Sequence, residues 1–300
     1  MRDPLPDHLP DDLAVRVATS PEESLDLAAA AEVVISGRLP DGLLEAAPEL
    51  RWVQAMSAGV DYLPLDDLAE HGVALTTASG VHAEPIGEQV LGYMTAFERG
   101  LHEAMHQQHR GVWERVGGGG ELAGKTVGVV GLGAIGTRVA ELARAYRMEV
   151  LGTKRDPTTA PDAVDEAFGP DGLGELLDRS DYLVLACPLT DETRGLIGRQ
   201  ELRRLDDEAV LVNIARGEVV DQDALVRSLQ NHGIGGAGLD VFEEEPLPPD
   251  SVLWDLSNVI VTPHNAGSTP RYAERLAGLF AENYESYREA GVDALANRAV

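Results

Sequence analysis

Residues 125–136 read Lys125-Thr126-Val127-Gly128-Val129-Val130-Gly131-Leu132-Gly133-Ala134-Ile135-Gly136, and the order of residue types in that stretch decides how the rest of the chain is read. Val127, Val129 and Val130 form a short β-branched run of the kind buried as a parallel strand. The run feeds directly into a GxGxxG loop, after which Thr137 to Arg144 places apolar residues at helical spacing. A loop that opens a helix presents free backbone N–H groups and the positive end of the helix dipole, which suits a pyrophosphate. Gly131 permits the tight turn, Gly133 lets the backbone approach the phosphates, and Gly136 allows close helix–strand packing, with Ala134 and Ile135 completing the cofactor-binding turn. A glycine-rich turn with no ligand is the plainer alternative. The strand before the loop and the helix after it favour dinucleotide binding.

Both flanks alternate short strands with helices. Upstream, Leu13–Val17, Val33–Ser36, Arg51–Ala55 and Val73–Thr77 read as strands, with helices from Glu22 to Ala30 and from Leu43. A single long helical pattern runs from Glu84 to His109, and Gly117-Gly118-Gly119-Gly120 reads as slack before the next strand. Downstream, Glu149–Gly152, Tyr182–Ala186, Ala209–Asn213, Gly236–Asp240 and Asn258–Val261 are expected strands, separated by helical stretches such as Leu173–Asp178, Arg199–Leu205 and Asp221–Gln230. The expected fold class is α/β in two domains. Residues 98–267 form a doubly wound Rossmann nucleotide-binding domain. Residues 1–97 and 268–300 form a smaller, discontinuous flavodoxin-like domain, rejoined by a helix over Pro270–Glu289.

Composition narrows the partners. Among 300 residues, 51 Asp and Glu against 24 Lys and Arg give a formal charge of −27, which repels nucleic acid and anionic membrane surfaces. A hydrophobic content of 44% and the repeated strand–helix patterns argue for a folded protein over a disordered acidic one. The charge suits an acidic surface of the halophilic kind, soluble in concentrated salt. Lys125 and Lys154 are the only lysines, a scarcity that a genome rich in G and C also explains. One cysteine, Cys187, excludes an internal disulfide. Met1 to Asp7 is polar and broken by proline, and no long uncharged apolar run follows, so a cytoplasmic protein without a membrane partner is expected, with no metal.

Three polar groups stand where strands of the second domain end. Arg216 follows the strand ending at Asn213, and an Arg there can grip a carboxylate with two parallel hydrogen bonds. Asp240-Val241-Phe242-Glu243-Glu244-Glu245-Pro246 supplies acids after the next strand, and Thr262-Pro263-His264 supplies a histidine after the last. Singly, each reads as an ordinary loop residue. Together, an Arg, a Glu and a His on consecutive strand ends beside a dinucleotide loop form a set able to reduce a keto acid.

These segments resemble the D-isomer-specific 2-hydroxyacid dehydrogenases. The resemblance runs over nearly the whole chain, through SAGVD at Ser57, VHAEPIGE at Val81, GLGAIG, CPLT at Cys187, NIARGEVVD, LDVFEEEP and TPHNAGST. It implies that Arg216 binds the substrate carboxylate and polarises the carbonyl, and that His264 is the general acid–base. Glu245 then hydrogen-bonds His264 and favours the imidazolium, leaving Glu243 and Glu244 as solvated neighbours. It further implies that Ala58 and Gly59 cradle the substrate carboxylate through their N–H groups, and that Asp240 holds the nicotinamide carboxamide. Cys187, Pro188, Thr193 and Ile214 fall at cofactor-binding positions. A homodimer is implied as well.

In that family an acidic residue at the end of the second strand holds the adenosine ribose. Here the strand ends Leu151-Gly152-Thr153-Lys154-Arg155, with Lys154 in the acid's place, Arg155 beside it and the Thr153 hydroxyl nearby. A basic pair accommodates a 2′-phosphate, so NADP is the preferred cofactor and NAD a possible one. The alternative is that Asp156 does the acid's work while the basic pair faces solvent. The expected reaction is reduction of a small 2-keto acid to the D-2-hydroxy acid. A glyoxylate or hydroxypyruvate reductase is the runner-up, and a dinucleotide-sensing corepressor-like binding protein is the reading from another class.

Overall fold

The computed structural model describes residues 5–10, 12–60, 62–116 and 119–300. The chain divides into two compact units, residues 1–82 with 268–300, and residues 83–267.

The first unit holds a parallel three-stranded sheet of β1 (Val33–Ser36), β2 (Trp52–Ala55) and β3 (Ala74–Thr76), in the order β1-β2-β3. β2 is central and buried throughout, and Trp52 stacks on Phe280 at 5.0 Å between ring centroids. Phe280 belongs to the helix Tyr272–Ala290, so this contact returns the end of the chain to the first unit. The segment 297–300 also bonds along β3, with Leu75 N–H donating to Val300 O at 3.2 Å.

The second unit is a seven-stranded parallel sheet: β4 (Thr126–Val130), β5 (Glu149–Thr153), β6 (Glu166–Phe168), β7 (Tyr182–Leu185), β8 (Val210–Asn213), β9 (Gly236–Leu239) and β10 (Val259–Val261). Their spatial order is β10-β9-β8-β7-β4-β5-β6, which reverses direction between β4 and β7. Successive side chains of a strand face opposite ways, and both faces here are covered. Val127, Val129, Val150, Val184 and Val212 pack with Val90 and Met94 of one helix and Val139 of another. Leu151, Leu183 and Leu211 pack on the other face with Leu176, Leu177 and Leu225. At about 1.5–3 kcal/mol for each fully buried Val or Leu, this double-sided burial is what holds the sheet.

Several expectations need correction. The domain boundary was expected at 97/98 and falls at 82/83, because the helix Ala83–Glu98 buries Val90 and Met94 against the valine face of the second sheet. The single helix expected from Glu84 to His109 is two, Ala83–Glu98 and Leu101–His109, separated at Gly100, whose φ of 62° is left-handed. Leu13–Val17 forms no strand: Pro10 O accepts Leu13 N–H and Leu13 O accepts Val15 N–H, so local turns take the groups a ladder would need. Val15 and Val17 are exposed. β6 is a three-residue edge strand, too short for its residue pattern to mark it in the sequence. Gly120 is not slack, since its N–H donates to Glu98 O and its carbonyl accepts from Arg99. Gly117 and Gly118 lie outside the described residues. Among the described residues, no helix is long and apolar enough to cross a membrane.

Candidate active site

The turn after β4 is built as its residues require. Gly131 has φ of 98° and lies against the Cys187 backbone, where an added Cβ would meet Cys187 N at 2.7 Å. At Gly136 a Cβ would lie 2.0 Å from Gly131 O. At Gly133 it would meet nothing within 4 Å. Two glycines are therefore closed in by protein, and the third faces open space at the start of the helix Ala134–Ala145, which has no side-chain cap. An open, uncapped helix start beside the sheet's reversal point fits a dinucleotide pyrophosphate. Gly131 and Leu132 N–H groups both donate to Thr153 O, tying this turn to the end of β5.

At that end Thr153 is buried and Arg155 is exposed. Lys154 Nζ donates to Thr159 O at 2.8 Å. Asp156 caps the short turn Pro157–Thr159, its Oδ1 accepting both Thr158 N–H at 3.0 Å and Thr158 Oγ1 at 2.6 Å. These two hydrogen bonds, with the charge of Lys154 a lesser cause, hold the Asp156 carboxyl below its ordinary range.

Cys187 is buried, which pushes its thiol up to about 11. Pro188 is exposed, and its carbonyl accepts Thr193 Oγ1 at 2.6 Å while Thr193 Oγ1 accepts Thr190 N–H at 2.8 Å. The Thr193 hydroxyl thus closes its own loop. Ile214 is buried beside the end of β8.

β8, β9 and β10 are adjacent, so their following loops share one edge of the sheet. Asn213, buried at the end of β8, accepts Ala215 N–H at 3.0 Å and donates to Arg216 O at 2.9 Å. This clamp sets the backbone of Arg216, which is half-buried and whose Nη1 donates to Ala215 O at 2.8 Å. After β9, Glu245 Oε1 accepts Phe242 N–H at 3.0 Å and its Oε2 lies 2.7 Å from His264 Nδ1. Glu243 instead accepts Gln222 N–H, and of the three glutamates it is Glu245 that meets the histidine. A carboxylate accepts, so His264 Nδ1 carries the proton and Nε2 is left for other partners.

His264 has φ of 49°, a left-handed backbone that costs energy for a residue with a side chain. Asp240 supports it. Asp240 O accepts His264 N–H at 2.8 Å, Oδ1 accepts Asn265 N–H at 3.0 Å, and Oδ2 accepts Ala266 N–H at 2.9 Å. Oδ1 also accepts the Thr262 hydroxyl. Asn213 and Thr262 stood inside the recognised motifs without a role, and their function becomes visible only with the bonds they make.

In the first unit, Ser57 Oγ donates to Gly59 O at 2.8 Å and pairs with the Tyr62 hydroxyl at 2.6 Å, which shapes the turn carrying Ala58 and Gly59. Asp61 of that motif lies outside the described residues.

Residues 91–266 match the sequence profile of the D-isomer specific 2-hydroxyacid dehydrogenase NAD binding domain. A glyoxylate reductase of Aeropyrum pernix is 37% identical over 278 residues, covering 89% of this chain and 82% of that one. The chain belongs to the D-isomer specific 2-hydroxyacid dehydrogenase family. Solved structures agree with this. A dehydrogenase family protein from Aeromonas salmonicida matches with a TM-score of 0.82 at 29% identity, over 94% of this chain and 89% of that one. An NADPH-dependent glyoxylate/hydroxypyruvate reductase from Sinorhizobium meliloti, in complex with NADP and sulfate, matches at 0.78 and 27% identity, over 90% and 85%. This dehydrogenase is accordingly an NAD(P)-dependent enzyme, and the corepressor-like alternative has no comparable support.

Proposed function

We propose that this dehydrogenase reduces a small 2-keto acid to the D-2-hydroxy acid, with NADPH preferred and NADH usable. The observation that carries the reading is the pairing of His264 Nδ1 with Glu245 Oε2 at 2.7 Å, on strand ends adjacent to the one that bears Arg216. Arg216 grips the substrate carboxylate and polarises the carbonyl, where negative charge develops. Glu245 orients the ring through Nδ1, and His264, when protonated, delivers a proton from Nε2 to the carbonyl oxygen. In the first unit, the N–H groups of Ala58 and Gly59 suit a substrate carboxylate. When bound, the reduced nicotinamide supplies the hydride that reaches the carbonyl carbon, so hydride and proton together complete the alcohol.

The turn from Gly131 to Gly136, with Ala134 and Ile135, holds the pyrophosphate, and Cys187, Pro188, Thr193 and Ile214 line the cofactor. Asp240 keeps one acceptor position beyond its protein bonds for the carboxamide. Exposed Arg155 with Lys154 supports NADPH over NADH, and the engagement of Asp156 with Thr158 weakens the alternative that Asp156 binds the ribose. Glyoxylate or hydroxypyruvate as substrate is the second reading, supported by the names of the relatives. The proposal includes a cytoplasmic homodimer with a salt-tolerant acidic surface. Leu101, Met105 and Trp113 are exposed apolar groups that a second copy would cover.

Steady-state oxidation of NADPH and NADH in molar salt, against pyruvate, 2-ketobutyrate, 2-ketocaproate, glyoxylate and hydroxypyruvate, tests the proposal. Turnover with NADPH preferred supports it, and the best substrate separates the two readings. Binding of NADPH without turnover of any 2-keto acid would refute it.

A further inference from the structure

Tyr93 lies in the middle of the helix Ala83–Glu98, far in sequence from every motif of the site, and is buried at 3% exposure. Its ring lies over Gly238 of β9, where a Cβ would approach Tyr93 Cγ to 2.8 Å, so glycine at 238 is what admits the aromatic ring. Its hydroxyl pairs with Thr262 Oγ1, and the Thr262 hydroxyl donates to Asp240 Oδ1.

Proton inventory fixes the direction of this chain. An ionised Asp240 only accepts, so Thr262 spends its single proton there. Thr262 must then accept from Tyr93. A row of hydrogen bonds with one orientation polarises each member and holds the terminal acceptor in place. That acceptor is the same carboxylate whose two oxygens fix the N–H groups of Asn265 and Ala266, while the Asp240 carbonyl fixes that of His264. His264 is the residue that needs holding, because its left-handed backbone is unfavourable on its own.

We propose that Tyr93 is a positioning residue for His264, acting through Thr262 and Asp240 to keep the histidine loop in the conformation that aims the ring at Glu245. Rotation of the Asp240 carboxylate would release the two following N–H groups, and the Tyr93–Thr262 chain opposes that rotation. Nothing in the sequence marks Tyr93 for this task, since the contact to Thr262 spans 169 residues. The kinetic part of the inference rests on the reductase reading above; the structural part does not.

The test is Tyr93→Phe, which keeps the ring over Gly238 and removes only the hydroxyl. The full-length protein is read in two ways. The ring C–H resonances of His264 are observed by NMR at fixed pH and assigned by their loss in His264→Asn. Keto-acid reduction gives kcat and KM. Tyr93→Phe is expected to shift and broaden the His264 resonances and to lower kcat about tenfold, with KM for the keto acid within about twofold, as loss of a buried hydrogen bond to a charged network predicts. Thr262→Val should do the same, and the double variant should be no worse than Thr262→Val alone, because both cut one chain. Unchanged His264 resonances with unchanged kcat in Tyr93→Phe would overturn the proposal, as would additive effects in the double variant. If the parent protein turns over no keto acid while the His264 resonances respond to Tyr93→Phe, the reductase reading fails and the positioning network stands. A thermal melt of Tyr93→Phe establishes folding. Should it melt below the assay temperature, Thr262→Val cuts the same chain at its other hydroxyl, and unshifted His264 resonances in that variant would also overturn the proposal.

Discussion

Glu245 joins two loops through one carboxylate, Oε1 accepting Phe242 N–H at 3.0 Å and Oε2 lying 2.7 Å from His264 Nδ1. The histidine side chain is 52% exposed and that of the glutamate 35%, so the pair contributes about 1 kcal/mol or less to folding. Its value lies in chemistry. Glu245→Gln is expected to leave the melting temperature nearly unchanged and to cut kcat for keto-acid reduction about 10–100-fold, less than the roughly 100–10,000-fold that a positioned acid–base group itself supplies, because Glu245 acts through His264. The carboxylate fixes the ring through Nδ1 and leaves Nε2 to face the substrate, so its loss should lower kcat more than it raises KM. Steady-state kinetics on both proteins check this, and an unchanged kcat would count against the pairing.

Asn213 offers a contrast, being buried and doubly bonded to the Arg216 loop. Asn213→Ala strands Ala215 N–H and takes one of two donors from Arg216 O, which keeps Val219 N–H, at a cost of about 1–3 kcal/mol in stability. It should also raise KM for the keto acid, because the loop that carries Arg216 loses its clamp. Chemical denaturation with steady-state kinetics measures both, and a stable variant with normal KM would remove Asn213 from the account.

For the cofactor, Lys154→Asp combined with Arg155→Ala should raise KM for NADPH at least about tenfold while changing KM for NADH little, because a 2′-phosphate loses its cations and meets an added carboxylate. Equal changes for both cofactors would show that the basic pair faces solvent.

The two glycines of the β4 turn make a paired experiment. Gly133→Ala puts a Cβ where no atom lies within 4 Å, so folding should be unaffected and NADPH binding weakened. Gly136→Ala puts one 2.0 Å from Gly131 O and should destabilise the protein by about 1–3 kcal/mol. Calorimetry and fluorescence titration of NADPH separate the two effects.

Alkaline stability follows from Tyr182, which donates to Glu98 Oε2 at 2.6 Å. Burial first, and the Glu98 carboxylate second, push its phenol well above the ordinary value. A group raised on folding contributes stability that is whole below its unfolded value and is lost as pH rises past it, here above about pH 10. Melting temperature should therefore fall above that pH, and the deficit of Tyr182→Phe relative to the parent should shrink there. A deficit constant from pH 8 to 11 would contradict the assignment.

Much of this was legible beforehand because burial writes itself into residue types. A strand covered on both faces must be a short apolar run, as Tyr182–Leu185 and Val210–Asn213 are, and a GxGxxG between strand and helix has few other uses. Elements held by less were misread. Leu13–Val17 has the composition of a strand but its backbone bonds stay local, and Gly100 breaks a helix whose apolar periodicity continues past it. The site divides in the same way. Arg216, Glu245 and His264 follow expected strands, and a parallel sheet gathers such positions on one edge. The closing of a loop by the Thr193 hydroxyl and the bond from Lys154 to Thr159 leave no trace in residue order.

By itself, then, the sequence determined the α/β class, the dinucleotide turn, the acidic character and which side chains stand at the ends of the strands, because each of these follows from local periodicity or from residue chemistry. Only the tertiary structure decided that Asp240 anchors the histidine loop, that Ala83–Glu98 belongs to the second unit, and that Tyr93 bonds Thr262. Those are choices among chemically similar partners. They are settled by distances between segments far apart in the chain, and the order of residues along it does not encode such distances locally.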